Sequence, residues 1–140
     1  DDQQMMTSYY RSDITKLSEM DLVAQQLYAS AGIGPNDVQA AILYDHFSPF
    51  VLPQIEAFGF APKGQAKDFV REGNIARGGR LPVNTNGGQL GEAYIHGLNG
   101  VAEGVRLARG QSVNQPGHCN NVIVTAGTGV PTSGLILTAG

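Results

Sequence analysis

An α/β fold, a mixed sheet with helices on its faces, is what this sequence predicts, and three observations carry that expectation. Residues 18–31 repeat apolar side chains at helical spacing. Residues 38–44, Val-Gln-Ala-Ala-Ile-Leu-Tyr, form a nearly continuous apolar run of strand length. Residues 121–125 and 133–138 read as two strands around the small-residue loop Ala126-Gly127-Thr128-Gly129-Val130-Pro131-Thr132. A strand without polar alternation is buried on both faces, and that requires helices above and below the sheet.

The first helix is signalled by Ser18-Glu19-Met20-Asp21, in which Ser18 is placed to cap the N-terminus and Asp21 favours the positive end of the helix dipole. Met20, Val23, Ala24, Leu27 and Ala31 follow at helical intervals, and Gly32 before Ile33 fits a left-handed C-terminal cap. After the break at Gly34-Pro35-Asn36, the strand at 38–44 ends in Asp45-His46-Phe47-Ser48-Pro49, a polar turn at its C-terminal edge. A short helix around Leu52 to Phe58 comes next, with Pro53 tolerable only near its first turn and Gly59 closing it. Residues 65–72 predict another short helix stopped by Gly73, and Leu81-Pro82-Val83-Asn84 a brief strand.

Asn84-Thr85-Asn86-Gly87-Gly88-Gln89-Leu90-Gly91 is too rich in Gly and Asn for a regular element and implies positive φ angles and close backbone approach. Ile95, Leu98, Val101, Ala102, Val105 and Ala108 then mark a long helix ending at Gly110, interrupted by Gly97, Gly100 and Gly104. Each interior glycine costs about 1 kcal/mol against alanine. A side-chain-free stripe that lets the helix backbone pack tightly on a sheet or another helix offsets that cost.

Composition narrows the function classes. The 140 residues carry 41% hydrophobic side chains and a net charge of only -3, which excludes a charge-rich disordered segment. Charged residues make up 15% and glycine is 19 of 140, a balance that suggests a surface partly covered by something else. No apolar run is long enough for a transmembrane helix, and Asp1-Asp2-Gln3-Gln4 is the opposite of a basic signal-peptide start, so a cytoplasmic protein that does not enter the membrane is expected. A single cysteine, Cys119, and three scattered histidines give no disulfide framework and no metal site. Lys63, Lys67, Arg71, Arg77 and Arg80 against Asp68 and Glu72 form a local basic stretch, read as a solvated helix and loop. Without interleaved aromatics or an overall basic balance, nucleic acid is not an expected partner.

Neither a Walker loop, nor the GxGxxG fingerprint, nor a GxSxG elbow is present. Three loops collect chemistry instead: Tyr44-Asp45-His46-Phe47, the glycine turn leading to Glu92-Ala93-Tyr94-Ile95-His96, and Thr125-Ala126-Gly127-Thr128-Gly129. Singly, each has a structural explanation. A tyrosine at a strand end packs at the core's edge with its hydroxyl on backbone, and His96, on the long helix, and Cys119 read as packing residues.

Their order along the chain changes that balance. A strand ending in YDHF, then VNTNGGQLGEAYIHGLNGVAEGVRLARG, then NNVIVTAGTGVPTSGLIL resembles the C-terminal half of a thiolase-superfamily protein, in the lipid-transfer branch related to the thiolase domain of sterol carrier protein X. The similarity runs from about Thr15 to Leu137. It implies that residues 1–140 are one C-terminal thiolase-like domain with a mixed five-stranded sheet flanked by helices, whose N-terminal half lies outside this chain. It also implies a site between the two halves for an acyl-CoA.

The departures from the family's degradative members matter more. Tyr44 stands where a thiolase carries a histidine after the first strand of this half, Tyr94 where the Gly-His-Pro histidine falls, and Thr125 where a cysteine begins Cys-x-Gly; Cys119 lies six positions upstream. Thiolytic cleavage needs a thiolate and a base for the CoA sulfur, so the chemistry of a thiolase is not expected. The tyrosines resemble instead those of steroid side-chain aldolases, which cleave a tertiary β-hydroxyacyl-CoA into a ketone and a shorter acyl-CoA of the propionyl-CoA type. Retro-aldol cleavage needs a base for the hydroxyl, an acid for the enolate carbon and donors at the thioester oxygen. Tyr44 and Tyr94 are the expected acid/base pair, either in either role; Asp45, His46 and His96 are supporting and orienting groups; Thr125, Gly127 and Gly129 form the oxyanion and substrate loop. The resemblance further implies no metal or redox cofactor, with CoA as part of the substrate, a homodimer, and a DUF35-type OB-fold partner that helps bind the acyl-CoA. The 140-residue domain is expected to be silent alone. Two other classes remain open, a non-catalytic lipid or acyl-CoA carrier and a structural subunit that supports an active paralogue.

Overall fold

The computed structural model describes residues 11–13, 15–129 and 131–140. Helix α1 spans Ser18–Ala31, strand β1 Ala40–Ile42, α2 Val51–Ala57, α3 Ala66–Arg71, the single turn α4 Gly88–Gly91, α5 Leu98–Ala108, β2 Asn121–Ala126 and β3 Ser133–Thr138. The strands lie in the order β1-β2-β3, with β1 parallel to β2 and β2 antiparallel to β3. Ala41 faces Ile123 on one side of β1 and Val83 on the other.

The expected doubly buried strand is present, and its alternation divides the core. Ala41 and Leu43 join Met20, Ala24, Ile55, Phe58 and Phe69 under α1, α2 and α3. Ala40 and Ile42 join Leu107, Val122 and Val124 on the α5 side. The α5 glycines do what their stripe implied: a Cβ on Gly100 would stand 2.9 Å from Ile42 Cγ2, and one on Gly104 would stand 2.6 Å from Val124 Cγ2. Gly32 closes α1 at φ 67, with its N–H on the Tyr28 carbonyl. The basic stretch is solvated, its five cationic residues all exposed; Lys63 pairs with Asp21, and Arg80 bonds Asn36 Oδ1 and the Phe60 carbonyl and lies over the Phe69 ring. No helix among the described residues is long and apolar enough to cross a membrane.

Four expectations are corrected. The sheet has three strands, not five, among the described residues. Residues 81–84 contribute one bridge, because Pro82 has no N–H for a ladder and Asn84 turns away at φ 51. The long helix begins at Leu98 rather than Ile95, since Gly97 at φ 92 breaks the helical path, so His96 sits in the preceding loop at φ 53 and not on the helix. Ser18 is the first helical residue and Leu17 occupies the cap position, with no side-chain capping bond.

Candidate active site

The C-terminal edge of β1 is built as a fixed platform. The Tyr44 N–H donates to Thr125 Oγ1 (2.8 Å), the Thr125 hydroxyl donates to Gln54 Oε1 (2.7 Å), and Gln54 Nε2 donates to the carbonyls of Tyr44 (2.7 Å) and Phe50 (2.9 Å). Gln54 has 0% exposure, so one buried amide joins the ends of β1 and β2 to α2. Asn84 extends the strand pairing through its side chain: Oδ1 accepts the Leu43 N–H (2.7 Å) and Nδ2 donates to the Leu43 carbonyl (3.0 Å).

Asp45, also buried, accepts the Gln89 N–H at Oδ1 (2.9 Å). Gly88, at φ 68, lies so close beneath the Asp45 carboxylate that any Cβ would overlap it. This is the close approach the Asn-Gly-Gly turn exists to permit. Glu103, buried in α5, accepts the hydroxyls of Thr85 and Ser112 at 2.6 Å each and holds the turn against the helix. Glu92 accepts from Asn86 Nδ2 (2.8 Å) and Asn99 Nδ2 (3.2 Å), which fixes the start of the loop that carries Tyr94.

These supports bring the two tyrosines together, Tyr44 Oη and Tyr94 Oη lying 2.8 Å apart. Tyr44 is 9% exposed and Tyr94 51%, so one phenol is anchored in the core's edge and the other is open to solvent. Burial first, then the hydrogen bond and charge of Tyr94, push the Tyr44 hydroxyl up to about 12; Asp45 adds to the rise and the Gln89 amide opposes it.

His46 lies against the Tyr44 ring, 4.9 Å between centroids, and stacks on Phe50. Its Nε2 is 3.3 Å from Thr128 Oγ1, which links the first loop to the third. Burial pulls its imidazole below the usual range, with Asp45 acting in the opposite direction. His96 packs edge-on against Tyr94 at 4.8 Å. Among the expected loop groups, Thr125 has its hydroxyl committed to the Gln54 platform, so it is a structural member of the site and offers no free donor. The N–H groups of Gly127, at φ 79, and Gly129, at φ 119, donate to no acceptor among the described residues. Gln54, Asn84, Gln89, Asn99 and Glu103 were not anticipated. The available signal was positional: Gln54 directly precedes Ile55 and lies four residues before Phe58, and Glu103 lies between the sheet-facing Gly100 and Gly104.

A family model described as thiolase C-terminal domain-like matches residues 2–137. The chain belongs to the thiolase C-terminal domain family. Over 138 residues this thiolase-like domain is 70% identical to a steroid side-chain-cleaving aldolase of Thermomonospora curvata, a match covering 99% of this chain and 35% of that protein. It is 63% identical over 136 residues to the 17-hydroxy-3-oxo-4-pregnene-20-carboxyl-CoA lyase of Mycobacterium tuberculosis, covering 97% of this chain and 35% of that one. Human sterol carrier protein 2 is 32% identical over 112 residues, covering 75% of this chain and 20% of the relative. A solved structure described as the Ltp2-ChsH2(DUF35) aldolase superposes with a TM-score of 0.91 at 70% identity, covering 95% of this chain and 35% of the solved one. The domain therefore spans about a third of the length of its two high-identity relatives.

Proposed function

We propose that the domain is the C-terminal half of an acyl-CoA retro-aldolase that cleaves a tertiary β-hydroxyacyl-CoA steroid side chain into a ketone and a propionyl-CoA-type thioester. The observation that carries this reading is the direct bond between the Tyr44 and Tyr94 hydroxyls. The names of the two high-identity relatives support the reaction class and the substrate. A homodimer and a DUF35-type partner complete the proposed assembly, the partner being suggested by the aldolase structure that the domain resembles.

The chemistry follows from the pair. A tyrosine at about 12 is phenolate in only about one molecule in 100,000 at pH 7, so a standing base is a poor starting point. Two bonded phenols avoid it. One accepts the substrate hydroxyl proton while passing its own to the other, and the second delivers its proton to the α-carbon. The O–H bonding pair becomes the ketone π bond, the C–C pair moves into the thioester as enolate, and each tyrosine ends neutral. The uncommitted backbone N–H groups of Gly127 and Gly129, in the third loop, are assigned on this reading to the thioester oxygen. The reaction needs proton transfers alone, with CoA carried by the substrate.

The test uses the full-length protein with its DUF35 partner and a 17-hydroxy steroid side-chain CoA ester. Tyr94→Phe should retain ligand binding and lose about 10²–10⁴ in kcat. A carrier would bind the ester without cleaving it even as wild type, and that result would remove the aldolase reading. The 140-residue domain alone should not turn over.

A further inference from the structure

Gln89 is a buried residue without an evident task. It is 5% exposed, its main chain is pinned by Asp45, and neither Nε2 nor Oε1 of its side chain has a hydrogen-bond partner among the described residues. Native interiors rarely leave an amide in that condition. The side chain lines a narrow cavity of about 10 Å³ together with Tyr44, Asn99 and Gly97, and the Asn99 Oδ1 there is also unpartnered. The packing around β1, α4 and α5 thus leaves an unused amide on the cavity that Tyr44 lines.

On the aldolase reading above, we propose that Gln89 is the positioning residue that gives the Tyr44–Tyr94 relay its direction. Its N–H donates to Tyr44 Oη when substrate enters, so the Tyr44 hydrogen is directed to Tyr94. Tyr44 is then the end that accepts the substrate hydroxyl proton, and Tyr94 the end that protonates the enolate carbon. The proton count is unchanged: one leaves oxygen, one crosses between the phenols, one arrives at carbon. The amide lies on the same cavity as Tyr44 and bears on its hydroxyl in the lowering direction, the direction a donor gives. The titratable groups facing Tyr44 are Tyr94, Asp45 and His46, and all three are left intact by changing Gln89.

The experiment places 3-fluorotyrosine at position 44 of the full-length protein and follows its ¹⁹F titration in wild type, Gln89→Met and Gln89→Glu. Methionine keeps the shape and removes the donor, and glutamate replaces the donor with acceptors. The midpoint should rise in Gln89→Met and rise further in Gln89→Glu. In the unlabelled complex, kcat of Gln89→Met should fall roughly 10–100-fold with KM unchanged, less than the 10²–10⁴ expected for loss of an acid/base group itself. A midpoint that stays or falls in both variants, or an unchanged kcat, overturns the assignment. If Gln89→Met does not fold, the glutamate variant decides alone, through the sign of its midpoint shift. Wild type that titrates as expected yet cleaves no ester would instead sink the aldolase reading, so the two failures are separable.

Discussion

The end of β1 and the loop at 92–97 hold one tyrosine each, and they hold them in opposite ways. Tyr44 is fixed at both its N–H and its carbonyl, by Thr125 and Gln54, and its ring is covered by His46 and Gly97. Tyr94 hangs from an irregular segment fastened at Glu92, with Leu90, Ile95 and Leu98 exposed around it. A proton relay profits from that inequality, because a buried partner fixes the geometry and raises the local pKa while an exposed partner can move to admit a ligand. Leu90, Ile95 and Leu98 leave this side of the site apolar and open to solvent, in contrast to the covered end of β1.

The contrast can be broken at its strongest point first. Gln54→Leu removes the amide that joins β1, β2 and α2, leaving the Tyr44 and Phe50 carbonyls and the Thr125 hydroxyl short of partners. Each buried unsatisfied group costs about 1–3 kcal/mol, and partial relaxation leaves an expected loss of about 3 kcal/mol in a denaturant titration. A smaller loss would mean that the platform is not fixed by this network.

Gly97 is the seam between the two regions. It sits at φ 92, and a Cβ there would stand 3.6 Å from the Tyr44 ring and 3.4 Å from the Ala126 Cβ. Gly97→Ala should cost about 1–2 kcal/mol, set by its left-handed backbone rather than by contact. Leu98, 69% exposed, sharpens the comparison from the other side. Leu98→Gln should leave thermal stability within about 0.5 kcal/mol, as surface changes do, and a larger loss would show the start of α5, next to the loop, to be as tightly packed as the strand end.

Much of the framework was legible in the chain. Apolar spacing placed α1 and the doubly buried β1, and Gly100 and Gly104 foretold a helix pressed on a sheet. Tyr44 and Tyr94 were found by their positions in a resemblance rather than by any local pattern, since fifty residues separate them. What stayed hidden has a common physical cause. Gln54, Gln89 and Asn99 are polar residues that fold into the interior, and a buried amide looks the same in sequence as a solvated one. Residues 81–84 have strand-like composition, yet Pro82 removes a ladder donor and tertiary bonds to Asn74 and Ile75 take the neighbouring N–H groups. The loop at 92–97 looked helical because Ile95 continues the apolar spacing of α5, whereas the backbone of His96 and Gly97 prevents it.

The claim on which the mechanism stands is that the two phenols act as one unit, and a double-mutant cycle on kcat measures it. In the full-length protein with the proposed DUF35-type partner, Tyr44→Phe, Tyr94→Phe and the double variant should each lose about the same 10²–10⁴, because breaking either link stops the same transfer. Losses that multiply in the double variant would show two independent catalysts and contradict the relay.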